Sequence, residues 1–142
     1  MKRLILMRHA KSAWDTNVES DHERPLNARG IRDAPRVAGE IASMDWSPQL
    51  VLSSSSVRTQ QTYNLMKGAF KKSPMVFFTP SLYHASIGDL QAAIEFIHPK
   101  AQTILCLGHN PGWSHAVEWL SSQYIELKTS STVFLTNSID TW

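Results

Sequence analysis

An apolar run stops abruptly at Arg8 and His9 in "ILMRHAKS" (5–12). A guanidinium is a fixed positive charge with a planar fork that suits phosphoryl oxygens, and a neutral imidazole can attack or carry a proton. Two later stretches bring the same residue types again. "SSSSVRTQQT" (53–62) holds Arg58, and "GHNPG" (108–112) holds His109. Taken as a set, Arg8, His9, Arg58 and His109 could move a phosphoryl group. One histidine would attack phosphorus, the other would donate to the developing charge, and the arginines would hold the oxygens in line. Alone, each member is ordinary: a strand-end arginine is usually a surface residue, and "GHNPG" could be a simple turn. Their weight comes from being placed together.

That placement depends on the elements around them. Short apolar runs at 3–7, 50–53, 75–78, 103–108 and 132–136 read as strands. Between them, Ala28 to Met44, Val57 to Lys71, Ile87 to His98 and Pro111 to Ser121 carry helical spacing. Asn27 and Ser86 stand where the first and third helices need a capping side chain. Pro35 lies inside the first helix, so that helix is expected to kink or to start later than Ala28. The alternation predicts an α/β domain with a largely parallel sheet, whose ligand site lies at the carboxyl ends of the strands. "RHAKS", "SSSSVRTQQT" and "GHNPG" follow the first, second and fourth strands, so all three should meet on one rim. Helix N-termini after Ser56 and after Asn110 would add backbone N–H groups for an anion.

The totals narrow the function classes. With 142 residues, one domain over 1–142 is expected, and 42% hydrophobic against 18% charged residues fits a folded chain. A net charge of +2 does not suggest a nucleic-acid partner, and Lys67, Lys71 and Lys72 read as a solvated helix face. The apolar stretch Leu4 to Met7 is too short for a signal peptide, and no run reaches the length of a membrane span. A lone cysteine, Cys106, fits a reducing compartment and a core position. A cytoplasmic protein with no membrane partner is expected, and a monomer. Six histidines raise a metal-dependent hydrolase as a rival, but no HxH, HExxH or Cys/His pair stands at ligand spacing.

"LMRHAKS", "SSSSVRTQQT" and "LGHNPG", in that order, resemble the histidine phosphatase superfamily. The short length and "RPLNARG" (24–30) resemble its SixA-type branch, the phosphohistidine phosphatases. The likeness runs from Met1 to about Phe134. It implies a three-layer α/β/α sandwich, phosphoglycerate mutase-like, with a mostly parallel central sheet. It also implies a covalent phosphohistidine on His9, with Arg8, Arg58 and His109 gripping the phosphoryl oxygens, and neither metal nor cofactor. Ser12 and Arg24 are further candidates for substrate binding, each with a plain structural role beside it. Trp14 and Trp113 are candidates for the walls of the entrance.

Two positions depart from the pattern. Ala10 stands where many members have glycine, which costs little if its φ stays negative. Members acting on sugar phosphates usually carry a glutamate as general acid after the third strand. Here that segment reads "PSLYHASIGDL" (80–90), with no carboxylate before Asp89. His84 and Asp21 are the candidate substitutes. The expected substrate is therefore a phosphorylated protein, carrying phosphohistidine on a domain such as a phosphotransfer domain. The alternatives are a small phosphate ester as substrate, or a non-catalytic module that binds phosphoproteins. A mutase is disfavoured by the missing glutamate and the lack of a long inserted lid.

Overall fold

The computed structural model describes residues 1–96 and 100–142. Among these residues, five strands form one sheet: β1 (Lys2–Arg8), β2 (Leu50–Ser54), β3 (Met75–Thr79), β4 (Thr103–Gly108) and β5 (Thr132–Asn137). Their order is β3-β2-β4-β1-β5. β4 runs parallel to β1 and β2, β3 runs parallel to β2, and β5 is antiparallel to β1. Every residue of β2 and β4 is buried, which is why these runs are almost continuously apolar rather than alternating.

Alternation along the strands sends side chains to two cores. Ile5, Met7, Val51, Leu105 and Leu107 pack with Val37 and Ile41 of α1 (Ala28–Ser43) and with Tyr63 and Met66 of α2 (Val57–Met66). Leu4, Leu6, Leu52, Ile104 and Cys106 pack on the other face with Leu90 of α3 (Ile87–Glu95) and Trp113 and Val117 of α4 (Gly112–Ser121). The result is the expected α/β/α sandwich with a mostly parallel sheet. Cys106 lies wholly inside the second core, and burial pushes its thiol pKa up, so it is inert packing.

The elements differ from expectation in a few places. α1 begins at Ala28 despite Pro35, because Asn27 caps it by accepting from the Gly30 N–H. Proline removes the donor that would reach the Ile31 carbonyl, and both residues lie on the exposed side where water can serve that oxygen. α2 stops at Met66, and its last turn tightens into a 3-10 turn at Lys67–Ala69. In α3, Ser86 and Asp89 form a reciprocal capping box, so the first carboxylate after β3 is used in the cap. Residues 97 and 98, the end of the helix expected over 87–98, lie outside the described residues.

Gly30 explains part of "RPLNARG". A Cβ there would stand 2.2 Å from the Lys11 carbonyl oxygen, so only glycine lets α1 approach the loop after β1. Asn27 fixes that approach by donating its backbone N–H to the same oxygen at 3.0 Å. The first turn of α1 thus braces the segment that carries His9.

Candidate active site

His9 continues the sheet by one residue, its N–H donating to the Gly108 carbonyl at 3.0 Å. The Ser130 N–H reaches the carbonyls of Arg8 and His9, at 3.2 and 3.1 Å. The next residue, Ala10, donates to Thr62 Oγ1, and Thr62 in turn donates to the Arg58 carbonyl. Ala10 has no left-handed backbone, so alanine serves where glycine was the alternative. The Ala10 carbonyl lies 2.7 Å from His9 Nδ1. A carbonyl can only accept, so Nδ1 carries the hydrogen and Nε2 keeps its lone pair, which accepts from Arg58 Nε.

Arg58 sits in the first turn of α2, capped by Ser56. Its Nε stands 3.3 Å from His9 Nε2, and its Nη2 stands 3.4 Å from His109 Nδ1. The two imidazole centroids are 5.1 Å apart. His109 follows β4, and its Nε2 lies 2.8 Å from Ser54 Oγ at the end of β2. Its neighbour Gly112 opens α4, where a Cβ would stand 2.2 Å from the Ala85 carbonyl oxygen. The three stretches separated in sequence therefore meet at the strand ends.

Both imidazoles are buried and held neutral. The His9 pKa falls from 6.5 to about 4, first because burial disfavours the charged ring, then through repulsion by Arg58, Arg8 and Arg24. Burial also lowers that of His109, helped by the proximity of His9 and Arg58. Arginine repulsion is thus secondary to burial. A neutral imidazole with its lone pair beside guanidinium donors has the chemistry to attack an anion held there.

Arg8 is turned partly away, with Nη1 donating to the Leu127 carbonyl at 3.0 Å. Its Nε is buried without a hydrogen-bond partner, as is Ser130 Oγ. Both residues flank His9. An unpaired buried donor of this kind is what a phosphoryl oxygen would satisfy.

The two candidate general acids fare differently. Asp21 accepts from Arg24 Nε and Nη2 at 3.1 and 2.9 Å, from Arg58 Nη2 at 3.0 Å, and from the Tyr83 hydroxyl. These bonds, the one from Tyr83 foremost, hold its carboxyl well below the usual range. Asp21 is therefore corrected from candidate acid to an anion that ties Arg24, Arg58 and Tyr83 together. His84 is exposed, stacked 4.1 Å from the Tyr83 ring. It faces a cleft of about 500 Å³ that also touches Tyr83, His109 and His115.

Ser12 and Arg24 bond to each other, and the Arg24 guanidinium lies 3.7 Å over the Trp14 ring. Arg24 thereby serves its own loop through Ser12, Asp21 and Trp14. Trp113 does not line an entrance: it is buried in the second core, its Nε1 donating to the Cys106 carbonyl. Sequence reading missed Tyr83, whose ring packs edge-on 5.3 Å from His109, and also Ser54, Thr62 and the 127–130 loop. Tyr83 lay in the very segment searched for a glutamate, but a tyrosine after a strand carries no signal of its own. Among the described residues, no three His, Cys, Asp or Glu side chains are grouped to hold a metal ion, and no helix is long and apolar enough to cross a membrane.

Comparison with known proteins shows the family and the fold. The profile of the histidine phosphatase superfamily (branch 1) matches residues 4–105. An uncharacterized chloroplastic protein of Arabidopsis thaliana is 39% identical over 150 residues, covering 99% of this chain and 69% of the relative. An uncharacterized protein of Mycobacterium tuberculosis is 33% identical over 105 residues, covering 74% and 63%. The aligned regions thus span about two thirds of the length of these curated relatives. Among solved structures, the candidate phosphohistidine phosphatase SixA from Agrobacterium tumefaciens superposes with a TM-score of 0.86 at 27% identity, covering 96% of this chain and 92% of that one. The protein histidine phosphatase SixA complexed with tungstate shares the fold, with a TM-score of 0.84 at 22% identity over 94% and 87%. The chain belongs to the histidine phosphatase superfamily, branch 1, with the short SixA-type architecture.

Proposed function

We propose that the protein is a phosphatase working through a covalent phosphohistidine on His9, and that its preferred substrate is phosphohistidine on another protein. The observation that carries this reading is the His9 ring: Nδ1 is tied to the Ala10 carbonyl, and Nε2 faces Arg58 Nε at 3.3 Å with His109 across the site. His9 Nε2 attacks phosphorus, forming an N–P bond as the substrate's own P–N bond breaks. The phosphorylated ring takes a proton from solvent on its other nitrogen, which an imidazole of pKa about 6.5 does near neutrality, and so departs as neutral imidazole. Water then attacks the phosphorus, the His9 Nε2–P bond breaks, and inorganic phosphate leaves with the water's hydroxyl while its proton passes to solvent, which returns the neutral His9 ring. Arg58, Arg8 and His109 neutralise the charge on the phosphoryl oxygens in both steps. The arginines bring the positive charge that a divalent ion would otherwise supply, so metal independence is part of the proposal.

The substrate class follows from the leaving group. A sugar or serine phosphate leaves as an alkoxide and needs a well-placed acid. Asp21 is held as an anion, Asp89 is used in a helix cap, and no glutamate lies between Pro80 and Leu90. Imidazole departs without such help. The SixA neighbours, named for protein phosphohistidine, support the same class. A single domain over 1–142, a monomeric state and a cytoplasmic location complete the proposal. The test is kcat/KM for a phosphohistidine protein, an aryl phosphate and a sugar phosphate under one set of conditions. The phosphohistidine protein should be best and the aryl phosphate slower; a sugar phosphate ranking first would overturn the substrate assignment.

A further inference from the structure

Ser54, the last residue of β2, is fully buried. Its Oγ accepts the Ser56 backbone N–H at 3.2 Å and lies 2.8 Å from His109 Nε2. A hydroxyl has one hydrogen to give, and leaving it ungiven inside a protein is costly because water cannot replace the lost bond. Among the described residues, His109 Nε2 is the acceptor within reach of that hydrogen. If Nε2 carried a hydrogen itself, the Ser54 hydroxyl would have nowhere to donate. The equally buried Ser56 Oγ lies 3.5 Å from this nitrogen but has a closer acceptor in Thr59 Oγ1 at 2.9 Å, which itself donates to the Ser54 carbonyl, so Ser54 is the donor that His109 Nε2 must serve.

We infer that Ser54 donates to His109 Nε2 and so holds His109 in the tautomer with its hydrogen on Nδ1, the nitrogen facing Arg58 and His9. The other side of the ring opposes this, but more weakly: a guanidinium nitrogen can only donate, yet Arg58 Nη2 stands 3.4 Å from Nδ1 against 2.8 Å for Ser54 Oγ at Nε2. Arg58 Nη2 makes its short bond to Asp21 Oδ2 at 3.0 Å and stands 3.4 Å from His109 Nδ1. In the assigned tautomer these are two donors facing one space, as needed to hold an oxygen of a phosphoryl group. In the opposite tautomer His109 would present a lone pair to that oxygen and repel it. Ser54 is thus a positioning residue: it does not touch substrate, but it decides which His109 nitrogen can give a hydrogen. The role in turnover rests on the phosphatase reading, whereas the tautomer itself does not.

Long-range proton–nitrogen correlation spectra of protein labelled with 15N-histidine read the tautomer directly. The His109 signals are identified by their loss in His109→Asn. At pH 7 the wild type should show Nδ1 protonated and Nε2 bare, and Ser54→Ala should lose that pattern in favour of Nε2–H or a mixture. With an aryl phosphate, Ser54→Ala should lower kcat by about tenfold to a hundredfold while KM changes little, the signature of an interaction made in the transition state. Nε2–H in the wild type, or a pattern unchanged in Ser54→Ala, would overturn the inference. If the expected spectra appeared but no phosphoryl substrate were hydrolysed, the tautomer would stand and the proposed function would fall.

Discussion

His9 and Arg58, each ordinary alone, could be singled out from sequence because they stand with Arg8 and His109 in three stretches that the strand pattern brings to one rim. Their partners could not. Asp21 looked like a spare carboxylate, yet it gathers Arg24, Arg58 and Tyr83 from three separate segments. Nothing in "SDHERPLN" announces that, since the contact is made across the fold. The strength of burial was equally illegible, and it sets the behaviour of His9 more than the neighbouring arginines do. A pH profile follows with a definite sign. His9 attacks only when neutral, and its pKa lies near 4 instead of the ordinary 6.5. For an aryl phosphate, kcat/KM should therefore stay flat on the acid side through pH 6 and fall only as pH approaches 4. An acid limb at 6.5 or above in the wild type would show that burial does not act on His9 as described.

At the level of elements, the strand runs were readable because β2 and β4 are buried on both faces and admit only apolar residues until the rim. Their ends, at Ser54 and just before His109, are where apolar demand stops. The proline in α1 misled in the expected direction: the helix tolerates it where the freed carbonyl is exposed. Trp113 misled because it follows "GHNP" in sequence, while helical rotation turns it beneath Gly108 into the second core. The glycines of α1 give a paired test. Gly39 has nothing within 4 Å of an added Cβ, so Gly39→Ala should stabilise by about 0.5–1 kcal/mol through helix propensity alone. Gly30→Ala should instead destabilise by about 1–3 kcal/mol, because the methyl meets the Lys11 carbonyl. It should also lower kcat, since Lys11 is two residues from His9. Urea midpoints for the two variants compare them directly, and a Gly30→Ala midpoint above wild type would refute the bracing role of α1.

For the molecule as a whole, the sheet order puts β2, β4 and β1 side by side, and the parallel direction of all three brings Arg58, His109 and His9 to one rim. Proteins with this architecture include the Agrobacterium SixA candidate, and the chain covers nearly all of that structure. A cleft of about 500 Å³ opens beside His109, whose ring centroid stands 5.1 Å from that of His9. The central claim is that the phosphoryl group passes through His9. Mixing the protein with a radiolabelled phosphohistidine donor protein and quenching in alkali within milliseconds tests it most directly. Wild type should carry acid-labile, alkali-stable label on the peptide containing His9, and His9→Asn, folded by circular dichroism, should carry none and release no phosphate. Turnover by His9→Asn at the wild-type rate, or label found on a different residue, would contradict the account.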